Sequence, residues 1–370
     1  MPGPGTFSNV SLNTLKSAAP AGWPTSDAGG PFANWASGVF AADVGAGGGY
    51  VVYGSGHLGV NTPIWAGISV FDVTTRLWSM RAAPSQPLLE PGGGTTGYNQ
   101  YFESTVAATA GHPYAPHTYG GLVYQSAALG GGTQGALVRN CFAGSPNANS
   151  RAVHRFDLSS ANAPPQRVLG TLNINASYPM AALDAGRGGY WALQNNGNGP
   201  LVFVRFSDWS QTSYPASQYN AYGDQFMVHV PSRDCLVAIG RDGPGGINLS
   251  VRVCPIVNGV PQSWTSVTPS GTAPADRRCG GVWSSRLGKI VCYEAAGSYQ
   301  VHKLSLPAGS LTGSGWAWTS QTLTGNVGAS PSRNAVADNG AWGRFAEIPS
   351  LGLFVWCDGI EAPVQFWNVT

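Results

Sequence analysis

The sequence predicts an all-β chain folded as one six-bladed β-propeller over residues 1–370, and three observations carry that prediction. Short runs rich in Val, Ile, Phe, Tyr and Trp alternate with Gly, Asn, Pro and Thr breaks, the composition of strands and tight turns. A four-run unit recurs along the chain at a spacing of about 50 residues. The last copy of the unit stops after three runs, while one orphan run stands at the amino end. A propeller closes its ring by lending a strand from one end of the chain to the blade at the other.

The elements follow in order. Pro4–Leu12 is the orphan alternating segment, and residues 13–33 read as an Ala/Pro/Gly/Ser-rich loop. The template blade spans 34–83, with runs at Ala36–Val44, Gly49–Gly54, Ala66–Asp72 and Leu77–Arg81. Residues 84–115 form a long Gly/Pro/Tyr-rich insertion, a length that in a compact domain is usually functional or mobile. Four further copies occupy 116–172, 177–215, 222–269 and 276–324, and the last is 343–370 completed by 4–12. Third-run positions Phe71, Phe156, Phe206, Val253, Leu304 and Phe366 are taken as equivalent. Phe7 and Val10 are then expected to fill the places of Trp78 and Met80. Seven blades is the alternative, should Tyr98–Thr109 hide a further partial blade.

The template resembles a kelch repeat, the unit that also builds the propeller of galactose oxidase. The residues carrying the resemblance are Gly54-Ser55-Gly56-His57 at the end of the second run, the Phe71-Asp72 step and Trp78 after the turn. Phe156-Asp157-Leu158-Ser159 repeats the Phe71-Asp72-Val73-Thr74 corner. The chain also resembles uncharacterised kelch-type propellers of bacteria and their phages, which begin blades as His117-Thr118-Tyr119-Gly120 and Gly343-Arg344-Phe345 do here. The resemblance implies a fold and no reaction. Galactose oxidase carries an adjacent Tyr-His pair at its copper; no such step occurs here, and no cofactor is expected.

Composition narrows the partners. Net charge is +2 and charged residues are 10% of the chain, with no Lys/Arg run, so nucleic acid is not an expected partner. No apolar stretch is long enough to span a bilayer as a helix, and the first residues lack the pattern of a signal peptide. The six cysteines show no C-x-x-C spacing and sit in apolar runs, so unbonded core thiols are expected rather than zinc ligands, with Cys279–Cys292 and Cys235–Cys254 as the pairs able to face each other.

In a propeller the first strand of each blade lines the central channel, and the loops leading into it share a face with the second-to-third loops. That rule places His57, His117, Tyr119, Tyr178, Tyr222, Asp224, Gln225, Arg241, Asp242, Arg277, Arg278, Glu294, Arg344, Asp358 and Glu361 on one rim. Convergent polar groups mark the default ligand site; the plainer reading is that each satisfies loop backbone. His57 and His117 are the pair to examine, as metal ligands or as acid and base; a histidine fixing a loop carbonyl is the plainer reading, and no metal is expected. His154, His229 and His302 read as half-exposed sheet residues. Arg277, Arg278 and Arg344 resemble in type a carboxylate clamp.

The expected role is non-catalytic. A weakly charged polar surface, 13 Trp, 14 Tyr and a Tyr/Gly-rich loop suit a binding propeller. A phage virion component of the tail or fibre, contacting a host-surface glycan or another virion protein, is the leading reading, with a virion or extracellular location. The alternatives are a polysaccharide lyase on uronate glycans using His57, His117, Tyr119 and Arg344, and a cellular, cytoplasmic kelch-type interaction scaffold.

Overall fold

The structure is a computed structural model that describes residues 1–19, 32, 36–53, 68–82, 118, 120–140, 153–159, 166–174, 179–194, 196–197, 199–215, 221–222, 225–241, 249–275, 279–293, 299–325 and 342–370. Among these, six antiparallel sheets form the blades. Blade 1 comprises Ser37–Ala41, Gly49–Tyr53, Ile68–Asp72 and Leu77–Ala82. Blade 2 comprises Leu122–Gln125, Ala136–Arg139, Val153–Asp157 and Gln166–Leu169. Blade 3 comprises Pro179–Asp184, Gly189–Gln194, Leu201–Arg205 and Gln211–Tyr214. Blade 4 comprises Gln225–Val230, Cys235–Arg241, Leu249–Val257 and Thr265–Val267. Blade 5 comprises Gly280–Ser284, Lys289–Tyr293, Gln300–Ser305 and Ala317–Thr322. Blade 6 comprises Ala346–Ile348, Leu353–Trp356 and Gln365–Trp367, and its fourth strand is Thr6–Asn9.

Ring closure is therefore by the amino-terminal strand, in the register Phe7↔Trp367, Ser8↔Phe366 and Asn9↔Gln365. Phe7 does take the place of Trp78: each lies opposite a third-strand aromatic, Trp367 in one case and Phe71 in the other, and packs toward the preceding blade. The expected third-strand alignment slips by two residues in blade 3, where Val204, opposite Tyr190 as Phe71 is opposite Tyr50, takes the place expected for Phe206. It slips by one residue in two further blades. Phe366 and Val253 face the next blade, and Trp367 and Cys254 are the equivalents of Phe71. It follows that Asn9, rather than Val10, stands where Met80 does. The one-residue slip was invisible in the sequence because both neighbours are apolar, and a one-residue shift moves a side chain to the other face.

Each blade buries both faces, so inner and second strands read as unbroken apolar runs instead of alternating ones; Gly49–Tyr53 and Gln225–Val230 are buried throughout. Six separate apolar cores result, one at each junction between neighbouring blades: 6 with 1, 1 with 2, 2 with 3, 3 with 4, 4 with 5 and 5 with 6. Six junctions close the ring without a seventh blade. Two-sided burial also explains why His154, His229 and His302, expected half-exposed, are 7%, 8% and 1% exposed. Trp78 and Trp318 in fourth strands, and Trp264 immediately before one, are core residues.

The third-to-fourth corner has a shared chemistry. The carboxylate of Asp72 accepts from the amides of Thr74 and Thr75 at 2.8 Å, and Asp157 and Asp208 accept likewise from Ser159 and Ser210. These Asx turns reverse the chain locally, which is why an Asp-x-Ser/Thr step recurs there. A second device links blades at the rim. The segment leaving an outer strand bonds to the outer strand of the following blade: Leu12 and Asn13 to blade 1, Asn173 to blade 3, Ser270–Gly271 to blade 5 and Thr324–Gly325 to blade 6. Residues 13–33, read as loop throughout, include a single helical turn at Leu15–Ala18 capped by Thr14. The 84–115 insertion, including His112, lies outside the described residues, as does Cys141.

Candidate functional site: the loop face and the axial cavity

Strand order fixes two faces. First-to-second and third-to-fourth turns emerge on one, here the turn face. Second-to-third connections and the entries to each inner strand emerge on the other, the loop face. Of the rim residues expected from sequence, His57, His117, Tyr119, Tyr178, Asp224, Asp242, Arg277, Arg278 and Glu294 lie outside the described residues. Tyr222 and Arg241 are placed by backbone alone: Tyr222 pairs with Asn196 in a two-residue ladder joining the loops of blades 3 and 4, and Arg241 ends the second strand of blade 4 opposite Leu249. Gln225 is buried and donates to Ser250 Oγ at 3.4 Å. Glu361 is exposed and pairs with Lys16.

Arg344 and Asp358 are described with their side chains, and both belong to blade 6. Arg344 is 5% exposed; it donates through Nη1 to the Phe32 carbonyl at 2.7 Å and lies over the Trp356 ring, 5.4 Å from its centroid. A guanidinium so engaged braces the loop base. Asp358 is half-buried close to tyrosines from both neighbouring blades. Burial, then Cys357 and Asp358, hold the Tyr50 phenol well above its ordinary range against the opposing charge of Arg344. Burial and then Asp358 raise Tyr299.

The base of the loop face is tied down by polar side chains. Ser37 Oγ accepts from the Gly343 amide at 3.2 Å, and Thr118 donates to the Tyr53 carbonyl at 2.9 Å. Asn140 donates to the Gly121 carbonyl at 2.9 Å and accepts from the Tyr190 hydroxyl at 2.5 Å. Arg139 Nη2 meets His154 Nδ1 at 2.8 Å. Each bond fixes the start of an inner strand or the end of a second strand, where a rim loop is anchored.

The inner strands enclose an axial cavity of about 430 Å³. Toward the loop face it is pinched. Blades 2, 3 and 4 converge at Gly120, whose carbonyl accepts from the Ala181 amide at 2.8 Å and whose Cβ position lies 3.7 Å from Phe226 Cα. The single turn Trp342–Arg344 of blade 6 approaches the inner strand of blade 4 across the axis. At Gly281 any side chain would collide with the Phe226 ring at 2.6 Å, so the blade 4–5 approach requires glycine. Toward the turn face the walls are partly exposed, at Leu183, Phe40 and Trp283.

Charged groups missed by the sequence reading gather on the turn face. Arg187 donates to both oxygens of Asp234 at 2.8 and 2.6 Å and to Asp184 at 2.7 Å. Asp184 also accepts from Trp191 Nε1 at 3.0 Å, and His229 approaches Asp234 at 3.4 Å. This network joins blades 3 and 4. Asp43 accepts from the Tyr124 hydroxyl at 2.6 Å and the Ala127 amide at 2.7 Å, joining blades 1 and 2. Glu347 accepts from Ser284 Oγ at 2.6 Å and has Arg286 Nε at 4.0 Å, joining blades 6 and 5. Glu347 was legible as a lone carboxylate inside the apolar run Phe345–Ile348. Among the described residues no cluster of three or more His, Cys, Asp or Glu is arranged to hold a metal.

No protein-family model matches the sequence, and no curated protein matches it. Solved structures do share the fold. An auxiliary nutrient binding protein from Bacteroides ovatus ATCC 8483 superposes with TM-score 0.50 at 9% identity, over 90% of this chain and 69% of that one. A protein of unknown function from Bacteroides thetaiotaomicron VPI-5482 gives TM-score 0.51 at 11% identity, over 97% and 74%. At such identities the likeness is one of architecture.

Proposed function

We propose that this chain is a non-catalytic binding propeller that offers its loop face to a glycan or protein partner. The observation carrying this reading is the anchored base of that face: Ser37, Thr118, Asn140 and Arg344 each fix backbone at a loop root. A rigid scaffold presenting variable connections is how propellers and sandwiches build recognition surfaces. The nutrient-binding description of the B. ovatus neighbour is consistent with a binding role. The polar, weakly charged surface and the Tyr/Gly-rich 84–115 segment favour a sugar or protein face over a charged polymer.

The finer assignment is a kelch-like virion component of a phage tail or fibre, or another extracellular binder. The test is a glycan array and a partner pull-down with wild-type protein and a Tyr178→Ala, Tyr222→Ala double variant. Binding that drops at least tenfold in the double variant supports the loop face. Turnover of uronate polymers to unsaturated products would replace this reading with the lyase. Mass spectrometry of purified particles decides the virion assignment.

A further inference from the structure

We propose that the axial cavity is a second binding site, opening on the turn face, for a small apolar molecule bearing one ammonium group. The site is separate from the loop face and does not rest on the reading above.

Three observations carry it. First, the cavity holds about 430 Å³, inside the roughly 300–1,000 Å³ range of small-ligand sites. Second, its walls come from the inner strands of all six blades and are mainly apolar, including Leu122, Leu183, Met227, Val282 and Trp283. Third, one carboxylate lines it. Both contacts of Glu347, from Ser284 and Arg286 of blade 5, fall on Oε1, and Oε2 makes no hydrogen bond among the described residues. Phe354, opposite Glu347 in its own sheet, brings no charge. Tyr124, the other titratable group of the wall, is committed to Asp43.

A carboxylate in an apolar cavity keeps an unmet demand for a donor or cation, and the demand is strongest where water is scarce. An anion would be repelled, and a purely apolar guest would leave Oε2 unsatisfied. Arg286 meets part of the demand, but its Nε stays at 4.0 Å, and its Nη2 is held by the Val369 carbonyl at 2.9 Å. The pinch at Gly120 and Trp342–Arg344 directs entry to the turn face, past Leu183, which is 38% exposed.

The experiment is titration calorimetry of the full chain with three matched probes: phenethylamine, 2-phenylethanol and 3-phenylpropionate. Phenethylamine is expected to bind at least tenfold more tightly than the other two. Glu347→Gln should remove that preference while leaving 2-phenylethanol within about threefold. Leu183→Arg, at a position 38% exposed, should weaken phenethylamine at least tenfold by placing a cation at the mouth. Loop-face partners should bind both variants as they bind wild type. Absence of phenethylamine binding at millimolar concentration overturns the proposal, as does equal binding to wild type and both variants.

Discussion

At the scale of single residues, the turn face shows which charges hold blades together. Arg187 bonds a buried Asp184, 2% exposed, and a partly exposed Asp234, 39% exposed. Arg187→Met leaves Asp184 buried without its cation and is expected to cost about 3 kcal/mol. Asp234→Asn, which keeps a residue tolerant of the left-handed φ of 43°, should cost about 1 kcal/mol. Urea unfolding of the two variants checks the order. Arg187 and then His229 hold the Asp234 carboxyl below its usual range, so its contribution is complete above the unfolded value and disappears as pH falls through the lower folded one.

Glu347 behaves oppositely, because burial raises it more than Ser284 and Arg286 lower it. A carboxyl raised on folding favours the folded state below its unfolded value and loses that contribution as pH climbs through the folded one. Glu347→Gln should therefore fold and match or exceed wild-type stability at pH 7, by thermal unfolding. Phenethylamine affinity should fall as pH drops through the raised value, since the protonated acid cannot pair with an ammonium. The thiols follow the same physics. Burial pushes Cys235 and Cys254 up to about 12, and Cys292 is raised by burial and by its hydrogen bond with Cys279. All five described cysteines are buried thiols outside any disulfide. Alkylation followed by mass spectrometry should find them unmodified in native protein at pH 8 and modified in denaturant; native reaction at Cys235 would contradict the packing.

At the scale of elements, the closing strand is the weak point of the ring. It is four residues long, and its anchor Phe7 is 2% exposed, stacked on Tyr299 at a centroid distance of 4.3 Å and beside Trp367. Phe7→Ala removes a core aromatic and should cost about 3–5 kcal/mol. Ser8→Ala, one residue away in the same strand, should cost under about 1 kcal/mol, since Ser8 is only half-buried. Equal losses in the two variants, measured by chemical denaturation, would contradict the register Phe7↔Trp367. The strapping of outer-strand exits onto the following blade gives a related reason for stability: it covers strand edges that would otherwise stay unpaired.

At the scale of the whole molecule, six cores shared between neighbours mean that no blade owns its apolar faces. The blades should unfold together, and unfolding followed by tryptophan fluorescence and by far-ultraviolet circular dichroism should coincide. Separate transitions would show that some junction, with the strand-closed 5–6 and 6–1 pairs the first to examine, is weaker than the rest. The two proposed binding sites lie toward opposite ends of the axis, so binding at one is expected to leave affinity at the other unchanged.

The linear order of apolar runs determined blade number, strand order and the closing strand, because strand formation and turn chemistry depend on near neighbours: Asp72 acts on Thr74, and a three-run copy at one end demands a fourth strand from the other. Which face each side chain occupies was decided only by tertiary structure, as the shifts from Phe366 to Trp367 and from Val253 to Cys254 show, because both faces are buried and the alternation that reveals register is missing. The same holds for the axial carboxylate. The sequence reading passed over Glu347, a charge within an apolar run, because Ser284 and Arg286, about sixty residues away, meet it only when six inner strands are brought around one axis.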